Sequence, residues 1–419
     1  MSAESNSILD TIQMKGSLVQ QLILDNPNVC PEFKTTIIKG SMLGSGNYGV
    51  VNNVDISKNP KLQKNISFPG LSNTNYVIKT IMSDDISNIE LIRPMTVNDA
   101  INYVIQTQYP NLIFEIQLAY NGGDKDKIVK FIKIVKSAKD CLISNSIEFI
   151  KNDGSVDVIE VDADNYICSN NVYSEYMIGV LCSSLSEYLN NSRGFGCRNF
   201  VFVTDFATCT SNNKFLQYVF MEKIDRDLDY IMTHGYDDIY TPSILFQCFF
   251  AIYTYEFMYQ MNHNDLHFGN IFIRILPNIK YLCYKFKQNT YYIPTKYLVK
   301  IGDYGLSCKY SEPMILNKEI MDNEITDVIP NFYNTCYDVM CLLLSMVDYS
   351  KYIKNLLNHE LGDISQFPIQ QDYPRPKLDR LDFFEQVNAD NLLSNHFSQF
   401  ILDPQDIPQD DIIYMGRML

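Results

Sequence analysis

At 419 residues with 46% hydrophobic content, the chain can bury a sizeable core and carry additions to it. Its formal net charge of −15 argues against nucleic acid or an anionic membrane as the main partner. The eleven cysteines are scattered, with no C-x-x-C, so neither a zinc site nor a disulfide framework is expected and reduced thiols in a cytosol-like compartment are.

Residues 1–39 read as an N-terminal extension with a short helix over Ile8 to Leu24 and a turn at Asn26-Pro27-Asn28. Met1-Ser2-Ala3-Glu4-Ser5-Asn6 has neither a basic region nor an apolar run, so no secretory leader is expected. Leu43-Gly44-Ser45-Gly46-Asn47-Tyr48-Gly49-Val50-Val51 then matches G-x-G-x-x-G-x-V. Gly44, Gly46 and Gly49 would let the backbone approach phosphates, and Val51 would cover a base. Alone, the segment is equally a glycine-rich hairpin turn. Tyr76-Val77-Ile78-Lys79 follows, a β-type run whose lysine, in this context, reads as a cation for phosphates.

The stretch from about 80 to 170 is read as an insertion. Its basic alternating run, Lys127 to Lys136, and the run Val156 to Asp162 predict a β-rich element with solvated charges on one face. Lys133, in Phe131-Ile132-Lys133, competes with Lys79 for the strand lysine, and the shorter distance from the glycine segment favours Lys79. Glu175 opens an apolar-periodic helix that should end near Cys197, followed by a strand over Asn199 to Val203. Glu115, in Ile113-Phe114-Glu115-Ile116, is its rival as the carboxylate that pairs the lysine.

Leu216 to Met221 reads as a strand, with Glu222-Lys223-Ile224 beyond it. Thr241 as N-cap and Pro242 at the first helical position predict a long apolar helix over Ser243 to Met261. Gln247 and Glu256 interrupt it, so a buried helix explains it better than a membrane span. It delivers the chain into His263-Asn264-Asp265-Leu266-His267-Phe268-Gly269-Asn270, which has the form H-x-D-x-x-x-x-N. There a carboxylate sits within reach of a substrate hydroxyl and an amide oxygen five residues on can hold a metal ion. Two β-type runs, Ile271 to Leu276 and Tyr297 to Ile301, lead to Gly302-Asp303-Tyr304-Gly305, whose aspartate suits Mg²⁺ bridging nucleotide phosphates. Together these segments imply phosphoryl transfer. Reading His263 and His267 as a zinc pair lacks the further ligands such a site needs.

Tyr337 to Leu344 reads as a buried helix in which Asp338 is structural. An amphipathic stretch to Leu361, a proline-rich loop at Tyr373-Pro374-Arg375-Pro376, a helix near Phe383 to Phe400 and an extended acidic tail at Asp403 to Pro408 complete the chain.

In its glycine segment, lysine strand, H-x-D loop and Asp303-Tyr304-Gly305, taken in that order over roughly Ser41 to Val347, the chain resembles the protein-kinase superfamily. Asp265-Leu266-His267-Phe268-Gly269-Asn270 and Asp303-Tyr304 look like haspin-type kinases and the divergent kinases of large DNA viruses. The resemblance implies an α+β, bilobal protein-kinase-like fold. A β-rich N-lobe over 40–221 would hold the insertion, and a mainly helical C-lobe with a divergent end would span 222–419. ATP and Mg²⁺ are implied, with a protein serine/threonine hydroxyl as acceptor and a cytoplasmic or virion location. Asp265 would accept the hydroxyl proton, Lys79 paired with Glu175 would hold the ATP phosphates, and Asn270 and Asp303 would hold the metal. Gly44, Gly46, Gly49 and Val51 would cover the nucleotide, with Met221 as gatekeeper and Glu222 to Ile224 offering backbone groups to adenine. Asp338 would tie down the backbone of the catalytic loop.

The chain also departs from that pattern. Asn264 stands where an arginine is usual, His267 stands where a lysine contacts the transferred phosphate, and no A-P-E lies between Asp303 and Asp338. Two alternatives therefore accompany the protein-kinase reading: a small-molecule phosphotransferase of aminoglycoside- or choline-kinase type, and a pseudokinase scaffold.

Overall fold

The structure is a computed structural model that describes residues 41–46, 49–54, 76–83, 129–136, 143–150, 156–162, 168–169, 171–189, 195–211, 214–310, 315–317, 320, 329–330, 332–362 and 375–418. The helix expected over Ile8 to Leu24, the rival Glu115 and the loop residues Tyr373-Pro374 lie outside the described residues. The described chain is mixed α+β.

Its first sheet is antiparallel and five-stranded, in the order β1 (Met42–Gly46), β2 (Gly49–Val54), β3 (Tyr76–Ser83), β10 (Lys214–Glu222) and β9 (Val203–Ser211). Tyr76, Val77 and Ile78 of the central strand are all buried, as expected of a strand covered on both faces. Between β3 and the next helix, β4 (Val129–Lys136), β5 (Ile143–Ile150) and β6 (Val156–Asp162) form a separate three-stranded antiparallel sheet. Lys133 belongs to that sheet, whereas Lys79 sits on a strand paired directly with β2. A two-residue strand, β7 (Cys168–Ser169), precedes the helix α1 (Asn171–Tyr188).

The helix α1 stops at Tyr188, earlier than the expected Cys197, because Gly196–Cys197 is instead a short strand, β8. Gly196 has φ +144°, a conformation open to glycine, and a Cβ there would lie 2.0 Å from the Leu185 carbonyl oxygen. The strand expected over Asn199 to Val203 is likewise displaced. Phe200 makes only an isolated bridge to Ile301, and pairing with β10 begins at Val203.

After β11 (Arg226–Asp227) and α2 (Leu228–Thr233), the long helix α3 runs over Thr241–Tyr259. Tyr240, rather than Thr241, is its N-cap. The Thr241 hydroxyl donates instead to Asp238 Oδ1 at 2.6 Å. The helix is buried nearly all round, as a helix apolar on every face must be. Its polar Gln247 is satisfied by the backbone next to it, accepting from Val299 N–H at 2.9 Å and donating to the Tyr297 carbonyl at 2.9 Å. Among the described residues no helix is long and apolar enough to cross a membrane.

Beyond the short strand β12 (Met261–Asn262), the two expected β-runs prove to be one long hairpin, β13 (Ile271–Phe286) and β14 (Asn289–Ile301). Its turn passes through Lys287 at φ +53°. The short strands β15 (Cys308–Lys309) and β16 (Leu316–Asn317) follow, and β12 pairs with β15. The buried helix α4 (Tyr337–Met346) and the amphipathic α5 (Lys351–Leu361) come next. The helix expected near Phe383 to Phe400 is shorter, α6 (Ala389–Asn395), flanked by 3-10 turns at Leu378–Phe384 and Ser398–Phe400. Glu360 ties α5 to α6, its Oε1 lying 2.8 Å from His359 Nδ1 and 2.6 Å from His396 Nε2. The last strand, β17 (Ile412–Met418), pairs parallel with β13 and antiparallel with β8. Around α3 the core is aromatic. Phe246 meets Tyr291, Tyr284 and Phe397 at ring-centroid distances of 4.9, 5.2 and 5.3 Å. Truncating such a ring costs about 3–5 kcal/mol.

Candidate active site

The hairpin register explains how two loops distant in sequence meet. Ile271 pairs with Ile301, so the residue before β13, Asn270, lies beside the residue after β14, Gly302, whose N–H donates to the Asn270 carbonyl at 3.2 Å. The β12–β15 pair closes the other side. Residues 263–270 and 302–307 are therefore held between two ladders.

Their backbone is pinned from below by α4. Asp338 Oδ2 accepts the His263 N–H at 2.6 Å and the Tyr255 hydroxyl at 2.8 Å, while Oδ1 accepts the Asn264 N–H at 2.9 Å. Asn264 has φ +66° and Asp303 φ +62°, conformations costing about 1–3 kcal/mol each that persist only when the surroundings impose them. Asparagine is among the side chains that tolerate this region. Here its Nδ2 also donates to the Leu306 carbonyl at 3.0 Å, joining the two loops. His263 makes a parallel link, its Nε2 lying 3.0 Å from the Gly302 carbonyl oxygen.

Asp265 and Asn270 come together through the Asn270 amide. Its Nδ2 donates to the Asp265 carbonyl at 2.8 Å and lies 3.4 Å from Asp265 Oδ2. With the NH₂ so engaged, the amide oxygen is the group of Asn270 left for a ligand. Asp303 approaches from the other loop, its side chain 38% exposed, and its Oδ1 accepts from Lys79 Nζ at 2.8 Å. Lys79 Nζ donates equally to Glu175 Oε2 at 2.8 Å. The ammonium is thus bracketed by two carboxylates from elements far apart in the chain, β3, α1 and the loop after β14.

The electrostatics follow from this bracket. Burial lowers the pKa of Lys79, but Asp303 and Glu175 outweigh it and hold the ammonium protonated. Burial raises the Glu175 carboxyl, Lys79 pulls it back and Asp303 pushes it up again, leaving it at about 7. For Asp303 the pull of Lys79 overcomes burial and the carboxyl stays below its ordinary value. His267 lies 3.9 Å from Asp265 Oδ2, and burial depresses its imidazole despite that carboxylate.

The five-stranded sheet arranges the remaining predicted residues around Lys79. Val51 and Val219 pair with Lys79, and Met221 pairs with Val77, so Val51, Lys79 and Met221 occupy register positions on one face. Gly44 pairs with Val51 and Gly46 with Gly49 at the end of the β1–β2 hairpin; Asn47 and Tyr48 lie outside the described residues. Glu222 ends β10, and its N–H donates to the Phe202 carbonyl at 2.8 Å. Its buried carboxylate binds Lys300 at 3.0 Å and Arg274 at 2.9 Å, a pairing that two isolated cations on separate strands did not reveal in sequence. Ile224 lies in the short connection to β11.

One side chain at the site was missed by sequence reading altogether. The Arg375 guanidinium is paired with Asp265 Oδ1, and its Nη1 donates to the Asn264 carbonyl at 3.3 Å and lies 3.4 Å from the Tyr337 hydroxyl. An arginine between prolines in a loop has no periodicity or motif that would have signalled this.

No family model matches the chain. Over 109 residues, 24% of the chain, it is 31% identical to a protein of Dictyostelium discoideum described as a "probable serine/threonine-protein kinase", of which the match covers 9%. This partial likeness supports a relationship to kinases and bears on no subtype among them.

Proposed function

We propose that the chain is an ATP-dependent protein kinase with a bilobal fold, residues 40–221 forming the nucleotide-side lobe around the insertion and 222–419 the other. The observation that carries this reading is the Lys79 ammonium held at 2.8 Å by both Glu175 and Asp303, beside a loop in which Asn270 orders Asp265. A cation, two carboxylates and an amide oxygen are the groups that phosphoryl transfer requires, since its catalysis is positioning plus neutralisation of phosphate charge. The partial likeness to a kinase points the same way.

In this reading Asp265 orients a serine or threonine hydroxyl and takes its proton as the new P–O bond forms and the bond to the leaving ADP oxygen breaks. Lys79 neutralises the ATP phosphates, and Gly44, Gly46, Gly49 and Val51 cover them and the base. Met221, Glu222 and Ile224 line the base side, where the Glu222 carbonyl is the backbone group still open because its N–H is engaged. Asp303 and Asn270 present hard oxygen donors, a set that fits Mg²⁺ rather than a soft metal. When bound, that ion would neutralise charge on the transferred phosphate. The haspin-like character rests on Asp265-Leu266-His267-Phe268-Gly269-Asn270 and Asp303-Tyr304.

The test is transfer of radiolabel from ATP to generic protein substrates by the native chain, Asp265→Asn and Asp303→Ala. Label on protein from the native chain alone supports the reading, and equal incorporation by all three removes it. Label on small alcohols but on no protein would promote the small-molecule alternative. Absence of thermal stabilisation by Mg²⁺ and ATP would promote the scaffold.

A further inference from the structure

The Asp265 carboxylate is not held by its own loop alone. We infer that Arg375 is a positioning residue for Asp265, clamping one carboxylate oxygen and the loop backbone so that the other oxygen faces the acceptor hydroxyl. This rests on the kinase reading and adds to it a residue from a segment remote from every motif.

The geometry divides the carboxylate in two. Oδ1 is engaged by the Arg375 Nη2. Oδ2 meets only the long Asn270 contact at 3.4 Å and His267 at 3.9 Å, and the Asp265 side chain keeps 24% of its exposure. A contact built to silence the residue would cover the accessible oxygen; this one takes the other. The guanidinium also reaches beyond the carboxylate to the Asn264 carbonyl, at a residue whose left-handed backbone needs such over-determination. It is itself anchored, 8% exposed and against the Tyr337 hydroxyl of α4, the helix that carries Asp338. Asn264 is thus gripped at its N–H by Asp338 and at its carbonyl by Arg375. A guanidinium suits this task because its fixed fork can satisfy two acceptors at once, which an ammonium cannot do with the same geometry. It also supplies a permanent positive charge beside Asp265, where burial disfavours charge on His267.

The experiment compares the native chain with Arg375→Ala, Arg375→Lys, Asp265→Asn and the Arg375→Ala/Asp265→Asn pair, measuring kcat and KM for ATP. Loss of positioning predicts a fall in kcat of about 100-fold for Arg375→Ala with KM changed less than about 2-fold. Free guanidinium ion should restore part of it, and Arg375→Lys should fall between. The double variant should be no slower than Asp265→Asn, because Arg375 acts through that carboxylate. Unchanged or increased kcat in both Arg375 variants would overturn the inference, an increase marking an inhibitory latch instead. A crystal structure with Mg²⁺ and a non-hydrolysable ATP analogue separates this inference from the kinase reading. Arg375 still on Asp265 supports the clamp even if no transfer is detected, and Arg375 withdrawn overturns it even if transfer is fast. Should Arg375→Ala fail to fold, Arg375→Lys and that structure decide the matter.

Discussion

Asp338 accepts the backbone N–H groups of His263 and Asn264 at 2.6 and 2.9 Å, one on each carboxylate oxygen, from full burial on α4. The pairing determines what substitution should do. Asparagine keeps the shape but turns one acceptor into an NH₂ facing an N–H. Asp338→Asn should therefore be nearly as harmful as Asp338→Ala, each costing about 1–3 kcal/mol per orphaned donor. Urea denaturation reads the stability loss. Transfer activity should fall with it in both variants, and a nearly native Asp338→Asn would contradict the two-acceptor geometry.

Glu175 connects the lysine bracket to pH. Its carboxyl is held near 7, above its ordinary value, so it gains a proton as pH falls through neutrality and then no longer pairs Lys79 as an anion. Asp303, held low by Lys79, stays ionised throughout. The expected outcome is a kcat/KM for ATP that declines from pH 8 to pH 6 with an apparent pKa near 7, since this parameter reports groups of the free enzyme. Glu175→Gln should be slow and flat across the same range. A native acid limb surviving in that variant would assign it to another group.

Glu256, buried on α3, has Oε1 without a hydrogen-bond partner, and burial together with Asp338 raises its carboxyl well above the ordinary range. The folded state therefore holds a proton that the unfolded chain releases above its ordinary value of 4.5. Stability should fall as pH rises from that value, by at most about 1.4 kcal/mol per pH unit. Glu256→Gln removes that slope, so its melting temperature should exceed that of the native chain by a margin that grows from pH 5 to pH 8. A margin independent of pH would show that the carboxyl is not neutral in the fold.

Gly179 lies one turn beyond Glu175 on α1, where a Cβ would come within 2.4 Å of Val203 Cγ2 on β9. Gly179→Ala should push the helix away from the strand, costing about 1–3 kcal/mol as overpacking does. It should also raise KM for ATP by loosening Glu175 from Lys79. Val203→Ala in the same chain should recover both, and failure to recover would place the damage elsewhere.

Much of the site was legible because its parts are local. The glycine segment, the strand ending in Lys79, the loop from His263 to Asn270 and Asp303-Tyr304-Gly305 each declare themselves within a few residues, through turn chemistry or the alternation of a strand. The burial of α3 was also readable, from apolar residues on every side of the helix. Its cap was not, because Asp238 draws the Thr241 hydroxyl away from the helix N-terminus.

What the amino-acid order determined by itself was therefore the set of chemical groups and the β- or α-character of the segments bearing them. Only the tertiary structure decided which groups meet. Glu175 reaches Lys79 and Asp303 across elements far apart in the chain, Glu222 finds Lys300 and Arg274, and Arg375 arrives at Asp265 from a proline-rich loop. The physical reason is that periodicity and capping act over one or two turns of chain. An ion pair between distant segments depends on sheet register and helix packing, which no single stretch of sequence contains.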